Sequence, residues 1–183
     1  MANAVVEARL EYKPVINAMR AAAAAMADRR PLMRAVAGIM LAAVEDNFEQ
    51  EGRPKWKDLH PATKLSRYKE GKWPGKILQR SGRLASSITQ SFTSNQALVA
   101  TNLPYARIQH FGGRTKAHVI RPKTKRALAF GGIVVREVNH PGSVIPARPY
   151  MRLTPRDLRD VIETAQSYHL RAILANDRRA NAG

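Results

Sequence analysis

Residues 52–84 read GRPKWKDLHPATKLSRYKEGKWPGKILQRSGRL, and this stretch separates helical patterns before it from strand patterns after it. It is rich in glycine, proline, lysine and tryptophan, a composition typical of loops. We expect a long basic loop that carries one short helix over residues 61–68. Ser81 has the side chain of a helix N-cap, so it predicts a helical turn over residues 82–86.

The residues before this stretch predict two helices. Apolar side chains recur every three or four residues from Ala8 to Met26, among many alanines, which favours a first helix. Pro14 lies inside that run and predicts either a kink or a late start. Pro31 favours the first turn of a second helix, whose apolar stripe ends at Phe48. Acidic side chains crowd the end of this helix, where they oppose the helix dipole unless basic neighbours pair with them.

The residues directly after the stretch predict a β-hairpin and a short helix. The hairpin pairs residues 88–92 with residues 97–101, with its turn at Ser94 and Asn95. The short helix covers residues 105–111, and the glycine pair that follows it ends the helix.

Three further runs of β-forming residues follow, over 118–121, 127–130 and 133–138. The basic sequence PKTKR at residues 122–126 is expected to be the tip of a hairpin between the first two runs. A glycine pair separates the last two runs, and the sequence NHPG at residues 139–142 is expected to break the sheet.

The C-terminal part predicts a long helix with a clear beginning. Thr154 is in the N-cap position, Pro155 lies in the first turn, and Asp157 stands three residues after the cap. The whole pattern predicts an α+β fold, with an antiparallel sheet of about five strands packed against long N-terminal and C-terminal helices and a long basic loop. We expect one domain over residues 1–175 and a disordered tail over residues 176–183.

The formal net charge of +17 is concentrated in the middle of the chain. Residues 52–90 carry a net charge of +8 and residues 104–152 a net charge of +9, whereas the two ends are nearly neutral. Such a distribution favours a polyanionic partner, either nucleic acid or an acidic protein surface. A basic surface that is simply solvated is the alternative, and both interpretations predict strong dependence on salt.

Aromatic side chains are interleaved with the basic ones, as on surfaces that stack bases while neutralising phosphates. These are Trp56, Tyr68, Trp73 and Tyr105. For Trp56 we favour packing onto the core, because Leu59 lies three residues further on the same face of a turn. Trp73 stands between a lysine and a proline, and we interpret it either as an exposed partner contact or as part of a mobile loop.

The densest basic cluster surrounds the PKTKR sequence. Its side chains are candidates for contact with DNA or with an acidic partner, and they are equally compatible with a charged turn that protects a sheet edge. The candidate residues are Lys116, Arg121, Lys123, Lys125 and Arg126.

The sequence contains no recognisable catalytic or metal-binding pattern. There is no cysteine, the five histidines form no pair at ligand spacing, and no nucleotide-binding glycine loop is present. The basic middle of the chain has three scattered carboxylates, so it lacks the acidic cluster of a magnesium-dependent nuclease. Neither a membrane span nor a signal peptide is recognisable. We therefore expect an intracellular protein that is not an enzyme and needs no cofactor.

Several blocks in a fixed order resemble one protein family. The first is F-x-x-E-G-R-P-x-W-x-x-L, from Phe48 to Leu59, and the second is I-L-Q-x-S-G-x-L, which begins at Ile77. T-N-x-x-Y-A at Thr101, I-x-x-F-G-G at Ile108 and I-P-A-R-P-Y at Ile145 follow. Over residues 34–174 the chain resembles the phage virion morphogenesis, or tail-completion, proteins of Mu-like and P2-like phages. Residues 117–130 and 140–142 are also similar to the broader neck-protein family of long-tailed phages.

The resemblance implies structural work at the head–tail junction of a virion that is assembled in the host cytoplasm. It implies completion of the tail or neck, so that tails join DNA-filled heads, by a homo-oligomeric ring, for which a hexamer is the expected size. The implied partners are neighbouring neck, tail-terminator or connector proteins, with non-specific contact to the passing DNA. Candidate residues for subunit or partner contacts are Arg53, Trp56, Trp73, Tyr105 and Arg148.

Two other classes of function compete with this interpretation. A free nucleic-acid-binding protein is supported by charge and aromatic residues alone, and it predicts tight DNA binding with a steep salt dependence. A lytic or processing enzyme lacks support because no catalytic group is recognisable.

Overall fold

The computed structural model describes residues 13–124, 126–130 and 133–180. Its helices are α1 (Lys13–Ala27), α2 (Arg30–Glu49), α3 (Pro61–Lys69), α4 (Arg83–Ser86), α5 (Ala106–Phe111) and α6 (Pro155–Ala180). Its strands are β1 (Thr89–Phe92), β2 (Ala97–Ala100), β3 (Gly113–Arg114), β4 (His118–Ile120), β5 (Leu128–Phe130), β6 (Ile133–Val135), β7 (Val138–His140) and β8 (Val144–Ile145). The predicted α+β class is confirmed.

The strands do not form the single sheet that the sequence predicted. In the described part of the chain they form four separate antiparallel pairs: β1 with β2, β3 with β8, β4 with β7, and β5 with β6. Local alternation of apolar and polar residues identifies a strand, but it does not specify how many strands lie side by side.

The chain divides into two compact units. Unit 1 consists of Met1–Ala43, Thr89–Ala100 and Leu153–Gly183, and unit 2 consists of Val44–Ile88 and Thr101–Arg152. Helix α2 begins in unit 1 and ends in unit 2. The prediction of one domain over residues 1–175 stays a prediction.

Unit 1 is built around the packing of α1 against α6. The phenol of Tyr168 on α6 donates a hydrogen bond of 2.6 Å to the carbonyl of Asp28, which follows α1. The β1–β2 hairpin also belongs to this unit, with Thr89 opposite Ala100 and Phe92 opposite Ala97. This is the predicted hairpin, and its turn contains Ser94 and Asn95 as predicted.

Helix α6 begins with the predicted reciprocal cap. The backbone N–H of Asp157 donates to Oγ1 of Thr154 at 3.3 Å, and the backbone N–H of Thr154 donates to the Asp157 carboxylate at 2.7 Å. The helix continues through Ala180, further than expected. The predicted disordered tail therefore falls on a segment that is helical here up to Ala180, with residues 181–183 outside the described residues.

Unit 2 has a compact apolar core at the end of α2. The largest members of this core are Phe48, Trp56 and Tyr150, and the rings of Trp56 and Tyr150 both contact Phe48 at centroid distances of 5.9 and 5.3 Å. Ile77, Leu84, Ile88 and Ala106 are also buried. Core residues from four sequence segments thus meet around one helix end.

Strands β3 to β8 of unit 2 form a long two-stranded ribbon, which we call the β-arm. Its pairs are nested: Gly113 lies opposite Ile145, His118 opposite His140, and Phe130 opposite Ile133. Between β4 and β5 the first strand has seven residues, 121–127, whereas the other strand has two, 136–137, between β6 and β7. The PKTKR sequence therefore lies in a side loop of the arm, and its prediction as a hairpin tip is wrong.

Two further local predictions are corrected. Asn139 and His140, expected to break the sheet, lie in β7 and pair with Val119 and His118. Gly82, rather than Ser81, is the N-cap of α4, with a φ angle of 69° and no side-chain hydrogen bond. The predictions of α2, α3 and α5 are confirmed. The part of the predicted first helix before Lys13 lies outside the described residues.

Candidate functional site

Asn47 organises the interior of unit 2. Its side chain is fully buried, and its amide nitrogen donates two hydrogen bonds of 2.8 Å to the carbonyls of Tyr150 and Arg152. Its amide oxygen accepts a hydrogen bond of 3.0 Å from Nε of Arg53. One buried amide thus ties the end of α2 to the I-P-A-R-P-Y segment and to the loop that starts at Gly52.

The loop turns sharply at Gly52. This glycine has a φ angle of 100°, and a Cβ atom at this position would lie 2.5 Å from the Trp56 ring. Glycine is required here both by the left-handed backbone and by the approach of the indole. Trp56 is buried against Phe48, so the packing interpretation of Trp56 is confirmed.

The acidic side chains at the end of α2 are paired. Asp46 accepts from Arg53 at 3.5 Å, and Glu49 forms an ion pair with Lys76. The neighbouring Glu51 carboxylate accepts a hydrogen bond of 2.7 Å from the backbone N–H of Ile77. The alternative in which basic neighbours compensate the acidic helix end is therefore the one observed.

The buried side chain of Arg148 binds the backbone of the loop that follows α2. Its guanidinium is 6% exposed and donates through Nε and Nη2 to the carbonyl of Lys57, at 3.3 and 3.1 Å. Burial lowers the pKa of Arg148, and the nearby charge of Arg67 lowers it further. The adjacent Tyr150 is 1% exposed and donates from its hydroxyl to the carbonyl of Ala106 at 3.0 Å. Burial raises the pKa of this phenol, so the donor is retained at neutral pH.

An open cleft of about 1070 Å³ lies in unit 2 beside these residues. Four basic side chains line it, namely Lys57, Arg67, Arg80 and Arg148, together with the carboxylate of Asp58. The hydrogen bond from Lys64 is the main cause that lowers the pKa of Asp58. Its walls also include Tyr105, Leu78, Val144 and Ile145. We call this the arginine cleft.

A second, smaller cleft of about 620 Å³ is lined by both tryptophans of unit 2. Trp73 is half-buried there, and the ammonium of Lys64 lies 5.2 Å from the centre of its ring. The indole N–H of Trp56 is buried and has no hydrogen-bond acceptor among the described residues. Trp73 therefore contributes to a concave surface.

The β-arm carries most of the predicted DNA- or acid-facing residues. Lys116, Arg121, Lys123 and Arg126 are all exposed, while Lys125 lies outside the described residues. Nε of Arg121 donates to Glu137 across the arm at 3.0 Å. The structure brings these residues onto one element, and their contact with DNA or protein stays a prediction.

The predicted partner-contact residues fall into two groups. Tyr105 and Trp73 reach a cleft surface, whereas Trp56 and Arg148 are buried and Arg53 bonds to Asn47. Their role in contacts with another subunit stays a prediction. Sequence reasoning missed Asn47 and Arg67, the two polar residues that most shape unit 2. Only the position of Asn47 beside Phe48, at the end of an apolar helix stripe, could have drawn attention to it.

Neither a metal centre nor a membrane span is found in the part of the chain that the structure describes. No three histidine, cysteine or acidic side chains in this part come together as metal ligands. Its helices likewise lack the combined length and apolar character that crossing a membrane requires. The site is thus a set of basic and apolar surfaces.

The comparisons with known proteins identify the family. The model of the phage virion morphogenesis family matches residues 10–170. The chain is 38% identical to Mu-like prophage FluMu G protein 2 of Haemophilus influenzae, over 84% of this chain and 88% of that protein. It is 30% identical to the putative capsid assembly protein G of Escherichia phage Mu, over 68% of this chain and 69% of that protein. No solved structure matches the chain.

The chain belongs to the phage virion morphogenesis family. Its role is therefore structural work in the assembly of phage particles, as the resemblance of its ordered blocks implied.

Proposed function

We propose that this protein completes the tail or the head–tail connection at the neck of the phage particle, so that tails join DNA-filled heads. It does so as a homo-oligomeric ring, a hexamer, around the DNA channel. The ring contacts neighbouring neck, tail-terminator or connector proteins.

The observation that carries this proposal is the exposed apolar character of the β-arm. Val119, Ile133, Val134 and Val144 are 47%, 57%, 69% and 75% exposed. A two-stranded ribbon is only marginally stable in water unless another surface covers it. Exposed apolar residues on the strands of one such ribbon favour contact with a protein partner. The β-arm thus has the properties of an element that is completed by assembly.

Helix α6 offers a second apolar surface for assembly. Leu158, Ile162, Leu170 and Leu174 are each at least 50% exposed. Residues four apart lie on neighbouring positions of a helix surface, so Leu158 pairs with Ile162 and Leu170 with Leu174. Repeated contacts between copies through such patches are the basis of closed rings.

The phage Mu relative is named putative capsid assembly protein G, which also supports work on the particle rather than on free DNA. This name does not specify the stage of assembly. The experiment must therefore distinguish a role in head assembly from a role at the neck.

The decisive experiment is electron microscopy of particles that the parent phage makes after this gene is disrupted. We expect DNA-filled heads separate from finished tails, restored to joined virions by a plasmid copy of the gene. Normal joined virions would contradict any essential role. Empty or malformed heads would place the protein in head assembly and contradict the neck proposal.

A plasmid copy with Val134→Lys sharpens the same experiment. Val134 is highly exposed, so this change should leave folding intact and still fail to restore joining. Thr124→Lys adds the same charge at an exposed polar position in the side loop of the same arm, so it is the matched control and should restore joining. The ring is tested separately by native mass spectrometry, where we expect a species of six times the 20.3 kDa chain mass.

A free nucleic-acid-binding protein is the second candidate, favoured by the exposed basic side chains of the β-arm. It predicts that the isolated protein binds a DNA duplex tightly and that the logarithm of its affinity falls steeply with the logarithm of salt concentration. Replacing Lys116, Arg121 and Lys123 together by glutamine should then reduce the salt slope by about three. An unchanged slope would exclude the arm as the DNA contact.

A further inference from the structure

The arginine cleft of unit 2 collects more positive charge than its own residues neutralise. Its lining includes four basic side chains and one carboxylate, that of Asp58, which is already paired with Lys64. Arg80 is paired with Glu70 through Nε and Nη2 of its guanidinium. Arg67 and Arg148 have no carboxylate partner among the described residues.

These two arginines are unusually buried for unpaired cations, since each is only 6% exposed. Nη1 of Arg67 donates to the carbonyl of Lys76 at 3.0 Å, whereas its Nε is buried and has no acceptor among the described residues. Burial lowers the pKa of Arg67, and the charge of Arg80 lowers it further, while Glu70 and Glu51 offset this in part.

A buried guanidinium without an anionic partner is costly, and buried polar groups in proteins are nearly always paired. An oxyanion offsets this cost, because guanidinium binds carboxylate and phosphate through parallel hydrogen bonds. The excess of guanidinium groups over carboxylates at this cleft therefore favours an anionic ligand there.

The apolar residues that line the rest of the cleft favour a peptide carboxylate over a phosphate. Leu59, Leu78, Tyr105 and Ile145 give it an apolar side, and Val144, which is 75% exposed, stands at the same wall. A phosphate backbone has no apolar groups to cover such a surface. A peptide that carries a carboxylate beside apolar side chains satisfies both parts of the lining.

We propose that the arginine cleft binds a peptide segment of another virion protein in which an aspartate or glutamate is flanked by apolar residues. The carboxylate lies against Arg67 and against Nη1 of Arg80, which Glu70 does not use, and the apolar side chains lie against Tyr105 and Val144. This assignment does not depend on the neck position proposed above, because it concerns the isolated chain.

Nuclear magnetic resonance on the ¹⁵N-labelled protein tests the assignment directly. The probe is an equimolar pool of seven-residue peptides with a central Asp-Glu pair between leucine, valine or phenylalanine residues. The Nε–Hε signal of Arg67 is identified by its loss in Arg67→Lys. We expect this signal to shift in a saturable manner at millimolar peptide concentration. A matched pool with a central Asn-Gln pair should bind about tenfold more weakly.

Two arginines close in sequence provide the matched variants. Arg80→Gln and Arg83→Gln each remove one exposed positive charge, but only Arg80 lines the cleft. We expect Arg80→Gln to weaken binding of the acidic pool about tenfold and Arg83→Gln to change it less than twofold. Arg67→Lys keeps the charge but loses the planar donor pair, so it should weaken binding about as much as Arg80→Gln.

The result that would overturn the proposal is a signal of Arg67 that does not respond to the acidic pool, or that responds equally to the amide pool. If Arg80→Gln and Arg83→Gln weaken binding of the acidic pool equally, the binding depends on net charge rather than on the cleft. That result would also overturn the proposal. Inorganic phosphate and a short DNA duplex are the competing probes. If either shifts the Arg67 signal at lower concentration than the peptides, the cleft is a phosphate site and the peptide assignment is wrong. None of these outcomes alters the expectation for particles that lack the gene.

Discussion

Asn47 shows how one residue can define the interior of a small unit. At its position on α2 an apolar side chain would satisfy the helix pattern, yet the amide satisfies two buried carbonyls and one arginine donor. Buried acceptors that lose their donor cost free energy, so the amide is specified by its partners. Asn47 acts as a connector between segments that are more than a hundred residues apart in sequence.

Asn47→Ala should lower the free energy of unfolding by about 3 kcal/mol, because two carbonyls and the Arg53 Nε lose their partner. Urea unfolding followed by tryptophan fluorescence measures the change. Asn102→Ala is the control, because Asn102 is exposed, and it should cost less than about 0.5 kcal/mol. Equal effects of the two variants would contradict the role given to Asn47.

His110 is a partly buried histidine in the core of unit 2. Its ring stacks edge-on against Tyr150, and its Nδ1 accepts a hydrogen bond of 3.4 Å from the backbone N–H of Met151. Burial lowers the pKa of His110. The unfolded chain therefore binds a proton more readily than the folded chain, so stability is complete above the ordinary histidine pKa of about 6.5 and is lost as the pH falls below it.

We accordingly expect the urea midpoint to fall between about pH 7.5 and about pH 5.5. His110→Gln keeps a side-chain acceptor but cannot take up a proton, so the fall should be smaller in this variant. Other titrating groups contribute equally to both proteins, and the difference between them isolates His110. An identical fall in the two proteins would contradict the prediction.

The residue scale also shows what sequence reasoning can identify. Thr154 and Asp157 were predicted as a cap because the motif is local and both partners lie within one turn. Ser81 was assigned wrongly, because Gly82 takes the left-handed conformation that starts α4 and leaves the serine outside the helix. Arg67 carried no signal, since an arginine in a short basic helix looks like any solvated cation until its burial is known.

At the scale of elements, the strand pairing of the β-arm could not be predicted from the sequence. Helices α2, α3 and α5 were predicted because their periodicity and their ends are local properties. The nested pairing of the arm depends on residues up to 32 positions apart, as in the pair Gly113 and Ile145. A strand pattern alone does not contain that information.

The register of the arm leads to a prediction about its side loop. The inner pair β5–β6 is offset by five residues relative to β4–β7, because seven residues face two between these pairs. Deleting residues 122–126 removes that offset and should give one continuous ribbon with an unchanged melting temperature. Deleting residues 123–125 instead leaves two extra residues, so the pairing of His118 with His140 should be kept while the ribbon stays interrupted before β5. Circular dichroism and the nuclear Overhauser effects between these strands measure both results.

At the scale of the whole molecule, the two units differ in how they are built along the chain. All segments of unit 2 lie between residues 44 and 152, whereas unit 1 combines α1, the β1–β2 hairpin and α6. The pattern of apolar and turn residues predicted the class of fold, and the distribution of charged residues showed the basic middle of the chain. The division into two units could not be predicted from the sequence, because it depends on which distant segments make contact.

A chain truncated after Thr154 should therefore lose protection against amide hydrogen exchange in α1 but keep it in unit 2. Without α6, helix α1 lacks the surface against which it packs, so its amide hydrogens should exchange at least tenfold faster. The amides of Gly52 and Trp56, which bond to carbonyls inside unit 2, should keep their protection. Hydrogen exchange followed by mass spectrometry measures both regions, and unchanged protection of α1 would contradict the prediction.

The packing of α1 against α6 also sets the order of events during translation. Helix α1 leaves the ribosome early, and its partner emerges after every other described element. Unit 1 is thus finished only when the ribosome has read through to the last helix, and a premature stop yields a copy without it. A copy cut short in this way keeps α1 without the helix against which it packs.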